Sequence, residues 1–105
     1  MPPRVAFITG AAQGMGEAIA LRLASDNEEF AIALFDLPAK ETQLEGVVSK
    51  IKDKGRTAVC FTGDVSLEDN VREAVEKCVT TLGGLDIVCI TFVHQRNMAP
   101  DQTLR

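Results

Sequence analysis

Three glycines near the N-terminus have the spacing of a turn that could bind an anion. Residues 9–16 read Thr-Gly-Ala-Ala-Gln-Gly-Met-Gly, between an apolar run from Val5 to Ile8 and a helical pattern that begins at Gly14. Glycine permits a tight turn at the end of a strand and lets a bulky ligand approach the backbone closely. The N–H groups at the start of the helix then attract negative charge, assisted by the helix dipole. The turn therefore predicts binding of a phosphate or pyrophosphate.

An acidic residue follows the second apolar run. Asp36 ends the run from Phe30 to Phe35 and lies about 20 residues beyond Gly16, the distance typical of a dinucleotide-binding turn. A carboxylate there accepts hydrogen bonds from the hydroxyls of the adenosine ribose. The pattern predicts a dinucleotide site with Asp36 at the ribose. The alternatives are an ordinary βα turn and a solvated carboxylate.

The charges expected around Asp36 favour NAD over NADP. The carboxylate would repel a 2′-phosphate, and the expected neighbours Ala12, Gln13 and Leu37 carry no positive charge. Asp64 follows the third apolar run and would lie near the adenine, although a turn residue before a helix would explain it equally well.

Four apolar runs alternate with three amphipathic patterns. The predicted strands are Val5 to Ile8, Phe30 to Phe35, Thr57 to Phe61, and a fourth from Ile87 that extends to Ile90 or to Val93. The predicted buried helix faces are Met15, Ala18, Ile19 and Leu23; Leu44, Val47, Val48 and Ile51; and Val71, Val75, Cys78, Val79 and Leu82. This βαβαβαβ order predicts an α/β fold, a truncated Rossmann-like doubly wound parallel sheet with strand order 3-2-1-4.

The sequence also indicates where the helices and the domain begin and end. Ser66 is predicted to be a helix N-cap, with Asp69 three residues later as in a capping box. Helices should end at Asp26-Asn27, at Gly55 and at Gly83-Gly84. Residues 1–93 are predicted to form a partial dinucleotide-binding domain, and residues 94–105 an irregular polar tail.

Composition excludes several classes of partner. The chain has 105 residues, a net charge of −4 and 46% hydrophobic residues, so it forms one domain at most. No basic cluster suggests nucleic acid or an anionic membrane, and no apolar run is long enough to span a bilayer. The three cysteines and single histidine are too dispersed for a metal site or a disulfide framework. Without a recognisable signal peptide, a cytoplasmic location is expected.

These motifs together resemble the short-chain dehydrogenase/reductase family. Residues 9–16 match its Thr-Gly-x-x-x-Gly-x-Gly and Asp36 its NAD-type acidic residue, while Asp64-Val65 matches its Asp-Val pair. Leu85-Asp86-Ile87-Val88 matches the run that opens its fourth strand, so the resemblance covers residues 4 to about 90. Residues 14–23 are also similar to acetoin (diacetyl) reductases and butanediol dehydrogenases.

The resemblance implies roles for particular residues. The family transfers hydride between a nicotinamide and a secondary alcohol or ketone. The residues implied to bind the cofactor are Gly10, Gln13, Gly14, Met15 and Gly16 at the pyrophosphate, Asp36 and Leu37 at the ribose, and Asp64 and Val65 at the adenine.

The resemblance stops abruptly after the fourth strand. Thr91 to His94 replace the family's Asn-Asn-Ala-Gly, and the chain contains no tyrosine. The family's catalytic Ser, its Tyr-x-x-x-Lys pair and its oligomer helices would fall beyond Arg105, so no catalytic residue is predicted here. An uncovered fourth strand would also leave an apolar edge, and we expect poor solubility.

Three functions are consistent with these observations. The first is the N-terminal half of an NAD-dependent oxidoreductase, shortened by a truncation, an unspliced intron or a reading-frame shift. The second is a non-catalytic dinucleotide-binding module. The third is a methyltransferase-like fold, which the glycine spacing disfavours.

Overall fold

The four predicted strands form one sheet. A computed structural model describes residues 4–25 and 29–90. Its elements are β1 (Arg4–Thr9), α1 (Gly14–Ala24), β2 (Phe30–Asp36), a 3₁₀ turn (Pro38–Lys40), α2 (Glu41–Asp53), β3 (Thr57–Thr62), α3 (Glu68–Leu82) and β4 (Ile87–Cys89). All strand pairs are parallel, in the order β3-β2-β1-β4. This confirms the predicted fold class and strand order.

The strand register brings the carboxyl ends of three strands to one edge of the sheet. Thr9 of β1 lies opposite Phe35 of β2, and Asp36 lies opposite Thr62 of β3. Each of these strands is followed by a turn that leads into a helix. Ligands of doubly wound sheets bind at this edge, so the register places the three turns where a site can form.

The core has two layers, one on each face of the sheet. Ala20 and Ala24 of α1 and Leu44, Val47 and Ile51 of α2 are buried against one face. Ala74 and Cys78 of α3 are buried against the other. Strands β1 and β2 are therefore buried on both faces, which explains their uninterrupted apolar sequences. The predicted face of α2 is confirmed, with Val48 partly buried at its margin.

Helix α1 packs through smaller residues than the sequence pattern indicates. Met15, predicted to be buried, is 69% exposed, and Ile19 and Leu23 are only partly buried. Gly16, Ala20 and Ala24 form the buried row instead. Glycine and alanine let the helix lie close to the sheet, and the larger apolar side chains are displaced to the flanks.

The start of α3 also differs from the prediction. The helix begins at Glu68, and no side chain caps it. Ser66 bonds to Asp64 in the preceding turn instead. Val79, predicted to be buried, is 43% exposed. The end of the helix is as predicted, because Gly83 adopts a left-handed φ of 89°.

Some expectations fall outside the described residues. These are the helix break at Asp26-Asn27, the continuation of the fourth strand through Phe92 and Val93, and the tail at 94–105. No helix in the described part of the chain has the length and apolar character needed to cross a membrane.

Candidate functional site

The glycine-rich turn after β1 requires glycine for two different reasons. Gly10 and Gly14 have φ values of 62° and 63°, in the left-handed region that disfavours other residues. At Gly14 an added Cβ would meet nothing within 4 Å, so this surface of the turn is open. At Gly16 an added Cβ would lie 2.1 Å from the carbonyl oxygen of Gly10. The last glycine therefore lets α1 begin directly against its own turn.

The N–H groups of this turn fall into two sets. The Ala11 N–H donates to the Phe35 carbonyl at 3.2 Å, and the Ala12 N–H donates to Asp36 Oδ2 at 3.0 Å. The first backbone bond of α1 runs from the Glu17 N–H to the Gln13 carbonyl, and no side chain caps the helix. The N–H groups of residues 14–16 therefore have no intrahelical acceptor and can bind an anion.

Asp36 connects this turn to the end of β2. Its Oδ2 accepts the Ala12 N–H, and its Oδ1 accepts the Leu37 N–H at 2.8 Å. Each oxygen of a carboxylate has two acceptor positions, so each can also accept a hydroxyl from a ligand. The side chain is partly exposed. Asp36 thus presents two fixed acceptors beside the start of α1, an arrangement that fits the two hydroxyls of a ribose.

A positive charge that the sequence analysis missed lies at the same turn. Lys40 Nζ donates to Gln13 Oε1 at 3.2 Å. The 3₁₀ turn at Pro38 brings Lys40 back toward the sheet, with its N–H bonded to the Leu37 carbonyl at 2.8 Å. Pro38 was the available signal, because proline favours the first turn of a helix.

The turn after β3 is held by its own side chains. Asp64 Oδ1 accepts both the N–H of Ser66 at 2.9 Å and its hydroxyl at 2.7 Å. These bonds lower the pKa of Asp64. The Asp64 N–H donates to Asn70 Oδ1 at 2.9 Å, and the Gly63 N–H donates to the Asp36 carbonyl at 3.0 Å. The ends of β2 and β3 are thereby joined. Asn70, another residue missed from sequence, holds Asp64 in place.

Two further predicted residues have structural contacts. Val65 packs against the apolar cluster beneath α3. Asp86 lies at the other end of the sheet, where its Oδ2 accepts the Val5 N–H at 2.7 Å and its N–H donates to the Val5 carbonyl at 2.8 Å. Asp86 therefore fixes β4 to β1 and is remote from the carboxyl edge.

The cysteines and acidic residues do not form a second site in the described part of the chain. No group of three or more His, Cys, Asp or Glu there could hold a metal ion. Burial raises the pKa of the Cys60 and Cys78 thiols, which keeps them protonated at neutral pH.

The predicted pyrophosphate and ribose residues share one end of the sheet. Gly10, Gln13, Gly14, Met15 and Gly16 form the turn and helix start, and Asp36 and Leu37 follow the adjacent strand. Asp64 and Val65 follow β3, the next strand outward. The fold therefore brings together residues that are far apart in the chain, and the groups predicted for pyrophosphate, ribose and adenine follow β1, β2 and β3, which are neighbours in the sheet.

Several known proteins are similar to this chain in sequence. A relative from Armillaria gallica, a short-chain dehydrogenase/reductase, is 48% identical over 85 residues, which are 81% of this chain and 32% of the relative. A diacetyl reductase [(S)-acetoin forming] of Staphylococcus epidermidis is 41% identical over the same shares of the two chains. The chain thus spans about a third of the length of these curated relatives.

Solved structures of dehydrogenases are similar to this chain in architecture as well. A dehydrogenase/reductase from Sinorhizobium meliloti aligns with a TM-score of 0.83 and 34% identity, over 98% of this chain and 40% of that one. A short chain dehydrogenase from Mycobacterium paratuberculosis bound to NAD aligns with a TM-score of 0.81 and 32% identity, over 95% and 40%. A model of the short chain dehydrogenase family matches residues 4–97. The chain therefore belongs to the short chain dehydrogenase family.

Proposed function

We propose that this chain binds NAD(H) and forms the N-terminal part of an oxidoreductase that acts on a secondary alcohol or ketone. The observation that carries the proposal is the position of the Asp36 carboxylate, bonded to the Ala12 N–H beside the uncapped start of α1. When bound, the nicotinamide would supply hydride transfer. The residues of this chain would bind and orient the other half of the cofactor.

Each part of the cofactor has proposed partners in this chain. N–H groups at the start of α1 bind the pyrophosphate, with Gly10, Gln13, Gly14, Met15 and Gly16 forming that surface. Asp36 accepts the ribose hydroxyls beside Leu37, while Asp64 and Val65 border the adenine. A small carbonyl or alcohol substrate and a cytoplasmic location for the whole protein are part of the same proposal.

The preference for NAD over NADP rests on the charge of Asp36. A 2′-phosphate would replace the ribose hydroxyl next to this carboxylate and would be repelled by it. Members of the family differ in this respect, since the M. paratuberculosis structure contains NAD. An alcohol dehydrogenase from Thermococcus sibiricus, with a TM-score of 0.73 and 35% identity over 81% of this chain and 35% of that one, contains 5-hydroxy-NADP.

Replacing Asp36 tests the proposal. Asp36→Ala removes the ribose acceptors, and losing hydrogen bonds to a charged group should raise the Kd for NADH about 10- to 100-fold. Asp53→Ala, at the end of α2, makes the same change of charge away from the site and should leave the Kd within about twofold. Fluorescence titration with NADH measures both. Unchanged binding in Asp36→Ala, or tighter binding of NADP than of NAD by the unaltered chain, would contradict the proposal.

A second candidate function is a dinucleotide-binding module that catalyses nothing itself, since the contacts described at this edge of the sheet, those of Asp36 and the start of α1, all belong to the proposed cofactor site. Incubating the chain with NADH and diacetyl, and following absorbance, separates the two functions. Binding without oxidation of NADH supports the module, whereas steady turnover supports an enzyme.

A further inference from the structure

Strand β3 forms an outer edge of the described sheet and pairs there with β2 alone. The Gly63 N–H donates to the Asp36 carbonyl at the end of β2, and the backbone groups of successive strand residues point to alternate sides. Ala58, Cys60 and Thr62 therefore direct their N–H and C=O groups away from β2. No other strand in the described part of the chain pairs with them, so this edge can hydrogen-bond a further strand.

A groove beside this edge leaves two of these three residues accessible. Cys60 and Thr62 line a cavity of about 300 Å³ between α2 and α3, whereas Ala58 is buried. An antiparallel strand in the groove would therefore bond to Cys60 and Thr62. A second copy of β3 does so when its Thr62 lies opposite Cys60, and the two-fold axis of that pair passes through Phe61.

The side chains of α3 have a charge pattern that matches the same two-fold arrangement. Glu73 and Lys77 are exposed and line the groove. Helix α3 runs from Asn70, which binds the Asp64 N–H just after β3, back along the sheet, so Glu73 lies nearer the end of β3 than Lys77. Four helical residues span about 6 Å, close to the roughly 6.6 Å of two strand residues. In the pairing described above, Glu73 therefore faces Lys77 of the second copy.

The charges on the two sides of the groove act differently. Among the described residues neither Glu73 nor Lys77 has an ion-pair partner, so both are available to a second copy. On the α2 side, burial raises the pKa of the Cys60 thiol, and the carboxylates of Glu45 and Glu41 raise it further. That side is acidic in both copies and opposes association. The dimer should therefore be weak and should depend on the contact at α3.

We propose that β3 is a self-association surface, on which two copies of the chain pair antiparallel about a two-fold axis through Phe61. A two-fold contact uses the same patch on both copies, and here each patch supplies both an acid and a base. The two sheets become one continuous sheet across the axis. The inference does not depend on dinucleotide binding, because the paired residues are separate from the proposed pyrophosphate and ribose surface.

Reversing and then restoring the charges at α3 tests the contact. Glu73→Lys places like charges at both symmetric positions and should raise the Kd of the dimer about tenfold. Combining Glu73→Lys with Lys77→Glu restores opposite charges and should return the Kd to within about threefold of that of the unaltered chain. The double variant is the matched control, because it has the net charge of the unaltered chain. Sedimentation velocity over a range of concentrations measures these Kd values.

Oxidative cross-linking tests the register of the strands. Residues in a hydrogen-bonded antiparallel pair have Cα atoms about 5.5 Å apart, within reach of a disulfide. Thr62→Cys places a thiol opposite Cys60 of the second copy, so copper phenanthroline should convert this variant to a covalent dimer on a non-reducing gel. In the unaltered chain the two Cys60 residues are diagonal neighbours about 7–8 Å apart and should cross-link poorly. Thr62→Cys combined with Cys60→Ser should not cross-link.

Three results would overturn the proposal. The first is an unaltered chain that stays monomeric at every concentration. The second is a dimer whose Kd does not change in Glu73→Lys, because association would then use another surface. The third is cross-linking of Thr62→Cys that persists without Cys60, because the strands would then be paired in a different register.

Discussion

The turns after β1 and β3 occupy equivalent places in the sheet but use their N–H groups differently. After β3, side chains of the turn and helix bind the N–H groups of Asp64 and Ser66, and the Leu67 N–H donates to the Asp64 carbonyl. After β1, glycine conformations make the turn and no side chain caps the helix that follows. The turn after β3 is thus held by its own side chains and the turn after β1 by glycine conformations, while neither helix start has a side-chain cap.

This difference separates what shapes each turn. Side-chain oxygens accept the N–H groups of Asp64 and Ser66, whereas at Gly14 an added Cβ would meet nothing within 4 Å. The start of α1 is therefore the better candidate for binding a ligand. We therefore expect changes in the first turn to affect binding most, and changes in the second to affect stability.

The largest effect is expected at Gly16. Gly16→Ala would place a Cβ 2.1 Å from the Gly10 carbonyl oxygen, so the turn must move. We expect a loss of about 1–3 kcal/mol in the free energy of unfolding and at least a roughly 100-fold rise in the Kd for NADH, since the N–H groups proposed to bind the phosphate shift together. Urea unfolding and fluorescence titration measure the two quantities.

Gly46→Ala is the matched control for this prediction. Gly46 lies on the exposed side of α2 and an added Cβ would meet nothing within 4 Å. Alanine should stabilise that helix by about 0.5–1 kcal/mol and leave NADH binding unchanged. Wild-type affinity in Gly16→Ala would show that the turn tolerates a Cβ, contrary to the close contact described above.

An intermediate effect is expected at Asn70. Asn70→Ala removes the acceptor of the Asp64 N–H, and loss of this bond should cost about 1 kcal/mol of unfolding free energy. The Kd for NADH should change less than about threefold, because the start of α1 is not altered. The same two assays apply. A large rise in the Kd for NADH with an unchanged free energy of unfolding would show that the turn after β3 affects binding rather than stability.

The smallest effect concerns the pH dependence of the turn after β3. Bonds from Ser66 lower the pKa of Asp64 in the folded chain, so ionised Asp64 favours the folded state above the ordinary carboxyl pKa of about 3.9. This contribution is lost as the pH falls through the lowered value. In Ser66→Ala the pKa should rise toward normal, as measured by NMR titration of the Asp64 carboxyl carbon. An identical pKa in both chains would show that the Ser66 hydroxyl is not the cause.

The sequence predicted features that depend on backbone conformation and on burial of long apolar runs. The strand order, the tight glycine turn after β1, and the proximity of Asp36 to that turn belong to this class. Strands buried on both faces appear in the sequence as uninterrupted apolar runs. Asp36 could be located because it directly follows such a strand.

Features decided by competition between side chains were not predictable in the same way. Ser66 could cap α3 or bond to Asp64, and only the folded turn shows that Asp64 is its partner. Met15 fits the periodic pattern of α1, but the close approach at Gly16 assigns the buried row to smaller residues. Lys40 reaches Gln13, 27 residues away, through a 3₁₀ turn that has no strong periodicity.

The pairing of β4 with β1 has a consequence for the order in which the chain folds. Asp86 binds the backbone of Val5 across 81 residues, and β1 lies between β2 and β4 in the sheet. Strands β1 and β2 can pair early, but one side of β1 stays unsatisfied until nearly all the described chain has left the ribosome. Closing so long a loop is slow compared with forming local contacts. Although β1 precedes the other described strands in the chain, it is therefore among the last to be completed, and during that interval its open side is exposed to association with other chains.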